Sequence, residues 1–367
     1  MPEVADIFRR YGGQYLADFG QAMLASHRRA FDDILRCRTP EMGGELYVCD
    51  HCGQQHYAYH SCRNRSCPKC HGKDTQKWLD GRKSELLPVP YFHVVFTVPD
   101  QLRRVIRSRQ KLLYPLLMKA AAKAVIKLAA DPHYVGGLIG VLAVLHTWTR
   151  TLEYHPHVHC LIPGGGLADD GTWRPARSNY LVPVKALSKI FRGMFLDFAA
   201  KELGPGVLSP ALRRRPWVVY AKPAVQGPQK VLDYLGRYVH RVAITNRRIL
   251  SVDDGKVTFR YQPSGQNHWK TMTLAAQEFI RRFLQHVLPK GIHKVRYFGL
   301  WAPTKRKSLR ELQRTLVQAE QVDSAQASQV TPESLRPYTL EGSPCPNCRA
   351  GTLLHVRRIR PQKRAPP

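Results

Sequence analysis

Between residues 4 and 37 apolar side chains recur at helical spacing, in "IFRRYGGQYLADFGQAMLASHRRAFDDILRC", which predicts one or two amphipathic helices. A cysteine-rich stretch, 37–70, interrupts the pattern. "KDTQKWLDGRKSELL" (73–87) is helical in character and "LPVP" (87–90) breaks it, which places a domain boundary near residue 90. "YFHVVFTVP" (91–99), β-branched and aromatic, predicts a buried strand stopped by Pro99. Residues 101–130, rich in Ala, Leu and Lys, predict a helix, and 137–163 predict two strands joined by a polar turn. A helix near 184–202, a strand at "PWVVYA" (216–221) and a helix from about 228 follow. Beyond 250, "KVTFRYQ" predicts a strand and "TLAAQEFIRRFLQHVL" a helix. The polar "QVDSAQASQVTPESL" reads as a linker to "CPNC" (345–348) and a basic end. Hairpins with few crossovers predict an α+β fold, a central antiparallel sheet flanked by helices. The divisions are a helical and metal-binding unit (1–90), a central domain (91–250), its extension (251–320), and a linker with a basic tail (321–367).

Charge narrows the partner. Lys+Arg exceed Asp+Glu by 57 − 27 = 30, and the pI is about 10.1. Such self-repulsion suits a polyanion whose phosphates displace counterions, and not a small-molecule substrate. An anionic membrane is the rival partner, but no long basic amphipathic helix supports it. The longest apolar run, 135–145, is too short to span a bilayer, and "MPEVADIFRRYGG" has no export signal. The expectation is a cytoplasmic protein that binds nucleic acid and not membrane.

In that compartment the nine cysteines point to metal rather than disulfides. Cys49 and Cys52, then Cys67 and Cys70, form two Cys-x2-Cys knuckles 14 residues apart, and four thiolates so spaced suit one tetrahedral structural zinc. Cys37 and Cys62 remain for a second zinc, completed by one or two of His51, His56, His60 and His71. Cys345 and Cys348 make a distal half-site, to be closed by His355 or by a cysteine of the first unit. Arg63, Arg65 and Lys69, set among the ligands, are candidates for DNA contact. Cys160 is expected to be buried and inert.

"YHPHVHCLIPGGG" (154–166) carries the first catalytic candidates. His157 and His159 share one strand face, a geometry that suits Mg²⁺ or Mn²⁺ and leaves positions open for phosphate oxygens. His155, before Pro156, belongs to the start of the strand. His146, on the preceding strand, is the favoured third ligand, with His93 and Glu153 as alternatives. Glycines 164–166 read as a turn leaving room for a DNA backbone. In "GPQKVLDYLGRYVHRV" (227–242), Tyr234 and Tyr238 lie four apart at the rim of an apolar stripe, beside Arg237 and Arg241. A tyrosine hydroxyl is a competent nucleophile toward a phosphodiester when cations offset its pKa of about 10. The plainer reading makes the histidines an exposed sheet edge and the tyrosines packed rim residues. The chain is then a non-catalytic zinc-ribbon nucleic-acid-binding protein.

The ordered set "SCRNRSCPKC", "PYFHVVFTVP", "LHTWTRTLEYHPHVHCLIPGGG" and "YLGRYVHRVAI" resembles the rolling-circle insertion-sequence transposases of the IS91 type, over about residues 5–310. These belong to the His-hydrophobe-His endonucleases, with replication initiators and conjugative relaxases, whose chemistry is a neighbouring possibility. The resemblance implies that His157 and His159 hold the catalytic ion and that Tyr234 and Tyr238 attack single-stranded DNA at element ends and target. A 5′-phosphotyrosine and a free 3′-hydroxyl would result.

Overall fold

The computed structural model describes every residue except 71–77, 83–84, 178, 226–229, 231–241, 264, 324–339 and 362–367. Helices α1 (Val4–Phe19) and α2 (Ala25–Arg36) precede a hairpin of β1 (Gly44–Cys49) and β2 (Gln55–Tyr59). Strand β3 (Tyr91–Thr97) leads to α3 (Arg103–Ser108) and α4 (Gln110–Ala129). A long hairpin follows, β4 (Gly140–Trp148) and β5 (Tyr154–Pro163), then a short ribbon, β6 (Gly165–Leu167) and β7 (Trp173–Pro175). Next come α5 (Val184–Leu203), α6 (Ala211–Arg214) and β8 (Val219–Val225). A meander of β9 (Ile249–Asp253), β10 (Lys256–Tyr261) and β11 (Lys270–Ala275) runs into α7 (Ala276–Leu284). Last are β12 (Val295–Gly299), α8 (Arg306–Asp323) and β13 (Leu353–Ile359).

The architecture is α+β. Five antiparallel strands form the central sheet in the order β12-β4-β5-β3-β8. β4 is buried from Gly140 to Thr147, so its sequence runs apolar without alternation. On one face Val141, Ala143, Leu145, Val158, Cys160 and Ile162 meet α4 and α5, where alanines 120–122 and 124 keep α4 slim beside Phe191 and Phe195. On the other face Leu142, Val144 and Leu161 pack under Tyr91, Trp301 and α8. Further along this second face the apolar cover ends, and β4 and β5 present histidines instead.

A second core joins α1 and α2 to α7 and the meander. Phe8 stacks on Phe31 at 4.8 Å and meets Phe283 edge-on, while Val252, Val257, Phe259 and Phe279 close it. Residues 249–284 therefore pack on the N-terminal helices, and of the expected 251–320 extension β12 is the strand that joins the central sheet. The helix expected over 273–288 begins only at Ala276. "KTMTLA" pairs residue for residue with β10, its side chains alternating between sheet faces, so the ladder takes these positions first.

Gly164–Gly166 are buried packing sites rather than an open turn. A Cβ at Gly166 would meet the Gly137 backbone at 2.8 Å, so glycine lets two backbone segments touch. No described helix is long and apolar enough to cross a membrane.

Candidate active site and metal centres

The β4–β5 register sets the histidine site. His146 pairs directly with His157, and Val144 with His159, so the three rings occupy adjacent places on one face. Ring centroids lie 4.4 Å apart for His146–His159, 4.9 Å for His157–His159 and 5.6 Å for His146–His157. One nitrogen from each falls within 4.8 Å of the others. His146 is 2% exposed while its partners are half-buried, so the cluster has a floor and an opening. Trp148 stacks on His146 at 4.7 Å.

Neighbouring groups orient the rings. His157 Nδ1 donates to the His155 carbonyl at 2.7 Å, which places its lone pair on Nε2. His159 Nδ1 lies 2.8 Å from His93 Nε2, so His93 stands behind the cluster as an orienting partner rather than in it. Burial, with Lys222 and His157 adding to it, holds His93 down at about 4, hence neutral at pH 7. Arg103 Nη2 donates to His155 Nδ1 at 2.9 Å, and burial followed by that guanidinium lowers the His155 pKa. Arg103 was invisible to sequence reasoning because it lies on α3, outside any motif. Three imidazoles suit a divalent transition ion, and nitrogen donors favour Mn²⁺ over Mg²⁺. A cavity of about 300 Å³ opens beside Trp148, lined by Arg65, Trp78, His286 and Lys294. Val242 and Ala243, which follow the tyrosine segment directly, also line it. Tyr234, Tyr238, Arg237 and Arg241 lie outside the described residues.

The cysteines form two four-sulfur groups, Cys37–Cys62–Cys67–Cys70 and Cys49–Cys52–Cys345–Cys348. This corrects the expected pairing of Cys49 and Cys52 with Cys67 and Cys70. The cause is the hairpin: Gly44 pairs with Tyr59 and Val48 with Gln55, so Cys49 and Cys52 sit at its turn. Cys37 and Cys62 flank its open end, five residue steps or about 17 Å away. Cys62 therefore meets Cys67 and Cys70, with no histidine in the group among the described residues; His71 lies outside them. β13 pairs along β1, Cys49 opposite Leu353, and brings the distal knuckle to the turn. His355 is not a ligand; its Nε2 lies 2.9 Å from Glu45.

Both groups fit zinc. Tetrahedral zinc with bonds of about 2.3 Å places sulfurs about 3.8 Å apart. The observed separations are 3.4 Å for Cys37–Cys70, 3.5 Å for Cys62–Cys70, 3.6 Å for Cys49–Cys348 and 3.8 Å for Cys52–Cys345. The Asn64 amide points at Cys62 Sγ and the Cys52 amide at Cys49 Sγ, donors that suit thiolates. Cys160 is fully buried, and burial pushes its thiol pKa up.

The basic residues of the first unit divide. Arg63 is exposed. Arg65 donates to the carbonyls of Ile292 (2.5 Å), Leu288 (2.8 Å) and Pro289 (2.7 Å), and Lys69 pairs with Glu3 at 2.5 Å. Arg65, which is also exposed, and Lys69 thus fasten the zinc unit to its neighbours.

Known proteins resemble this chain over most of its length. Residues 140–308 match the family described as "Putative transposase", and 7–98 the "Transposase zinc-binding domain". The chain is 40% identical to "Putative transposase y4qJ" of Sinorhizobium fredii, over 97% of this chain and 95% of that one. It is 28% identical to "Transposase for insertion sequence element IS801" of Pseudomonas savastanoi, over 73% and 68%. A solved structure, the conjugative relaxase TrwC in complex with OriT DNA, superposes over 62% of this chain and 71% of its own. The TM-score is 0.26 at 11% identity, a likeness too loose to inform the site. From its near full-length relative and its two matched domains, the chain belongs to the IS91-type insertion-sequence transposases.

Proposed function

We propose that this transposase nicks and rejoins single-stranded DNA through a 5′-phosphotyrosine, in rolling-circle-like transposition. The observation that carries the reading is the convergence of His146, His157 and His159 on one face of the β4–β5 hairpin. These three would hold Mg²⁺ or Mn²⁺. Bound there, a divalent ion supplies Lewis-acid polarisation of the scissile phosphate.

Tyr234 or Tyr238 is the nucleophile. The phenol gives up its proton as its oxygen bonds to phosphorus, the phosphorus–O3′ bond breaks, and the released 3′-oxygen takes up a proton. Rejoining reverses the exchange at a second 3′-hydroxyl, so no bond energy is lost to water. Arg237 and Arg241 offset the developing negative charge. Val242 and Ala243 border the cavity beside Trp148, whose ring stacks on His146. Each four-cysteine group holds a structural zinc, with no open position for catalysis.

Incubating the zinc-loaded chain with Mn²⁺ and labelled single-stranded element ends tests this directly. A detergent-stable adduct is expected. Retention of the adduct in a Tyr234→Phe/Tyr238→Phe double variant would overturn the tyrosine chemistry.

A further inference from the structure

The loop from β10 to β11 leaves Trp269 54% exposed at one end of the meander, with the Arg260 guanidinium 5.0 Å over its ring. An isolated exposed aromatic is ordinary on a protein surface. Here, however, the flanking charges are of one sign. Arg247, Arg248, Arg260 and Lys270 share that end of the sheet, because Phe259 pairs with Ile249 and Tyr261 with Lys270. The meander's acids, Asp253 and Asp254, occupy the turn at the opposite end.

This end is tied to the catalytic hairpin. Arg150 Nη1 donates to the Gln262 carbonyl at 2.5 Å, and Arg248 donates to the carbonyls of Arg150 (2.7 Å) and Arg260 (2.8 Å). Arg150 lies two residues beyond Trp148, which stacks on His146. The bonds tie the β4–β5 turn, which follows Trp148 and also carries Glu153, to an aromatic plane held by a guanidinium.

We infer that Trp269, braced by Arg260, is a stacking station for an unpaired base of single-stranded DNA passing to or from the histidine cluster. The inference rests on the proposed DNA chemistry for its substrate. Stacking on an aromatic face needs a base free of its partner, and the surrounding guanidinium and ammonium groups supply backbone attraction without reading sequence. The cation over the ring also holds it in place before the base arrives. Duplex DNA would find the same cations but no base face to stack.

The test measures binding, by anisotropy of a labelled single-stranded oligonucleotide with the full zinc-loaded chain and no added Mg²⁺ or Mn²⁺. Trp269→Ala is expected to weaken binding about tenfold, the loss of one base–aromatic stack, and Trp269→Phe to retain most of the affinity. The slope of log Kd against log salt should not change, since no phosphate contact is removed. An oligonucleotide carrying iododeoxyuridine should crosslink to Trp269. Unchanged affinity in Trp269→Ala overturns the inference. So does an equal loss on blunt duplex of the same length. A chain that binds through Trp269 but forms no covalent adduct keeps the station and loses the chemistry proposed above. An adduct with Trp269-independent affinity does the reverse.

Discussion

The histidine cluster and the cysteine groups solve one problem, gathering ligand atoms, by opposite means. Two consecutive strands supply all three histidines, so one turn and one register assemble the site. The cysteine groups draw on partners far apart in sequence, 33 positions for Cys37 with Cys70 and 299 for Cys49 with Cys348. The first arrangement needs only its hairpin and whatever supports that hairpin. The second needs the fold, and in return holds the fold's parts together. A ligand lost from the histidines should cost chemistry, and one lost from the cysteines should cost structure.

The sharpest break of that contrast is Cys67→Ser. Cys67 and Cys37 are fully buried beside α1 and α2, and structural zinc contributes about 10–16 kcal/mol in isolated fingers, as much as a domain's whole stability. Loss of one zinc per chain and protease cleavage within 1–70 are the expected outcomes, read by metal analysis and limited digestion. His157→Ala should do the opposite. Adduct formation should fall by more than a hundredfold, exceeding the effect of an outer-shell change, with the melting temperature almost unmoved. His93→Ala is milder. Without the imidazole behind His159, Mn²⁺ affinity measured by titration should drop about 10–100-fold.

Cys345→Ser should release only the C-terminal strand. One zinc is lost and residues 340–361 become protease-sensitive, while the central sheet, which shares no core with this group, melts as before. The smallest effect concerns His286, which is fully buried against Thr147 and the Leu152 carbonyl, its pKa pushed down to about 3 by that burial. Its folded pKa is below the unfolded value of about 6.5, so the unfolded chain binds more protons as pH falls. Stability should therefore decline from pH 6.5 toward 3. His286→Leu should flatten this limb between pH 6.5 and 5 and cost about 1–3 kcal/mol at pH 7, for the hydrogen bonds it removes.

The histidines were legible because a strand's period of two and a hairpin's pairing are local rules, and His146 followed from the same register as His157. The cysteine division was not, although "ELYVCDHCGQQHYAY" alternates as a hairpin should. Knuckle spacing states which sulfurs are neighbours in sequence. Only strand length states that the second knuckle lies at the other end of the hairpin. The partners of Arg65 and Lys69 were hidden because a cation's partner is fixed by tertiary contact, for Arg65 with carbonyls more than two hundred positions away and for Lys69 with the Glu3 carboxylate. The first three residues of "TLAAQEFIRRFLQHVL" misled for a related reason: a partner strand takes Thr273–Ala275 into its ladder.

One further consequence follows from the sheet order β13-β1-β2. During synthesis the Cys49 knuckle leaves the ribosome with half its ligands, and they are completed only 299 positions later, when Cys348 emerges. Until then β1 has an open edge, its backbone groups unpaired on the side that β13 will take. A message cut short between the end of α8 and Cys345 yields a chain that contains the histidine hairpin but leaves one edge of β1 unpaired and the Cys49–Cys52 knuckle without its second pair of thiols. The edge of β1 is thus covered last, by the final strand of the fold.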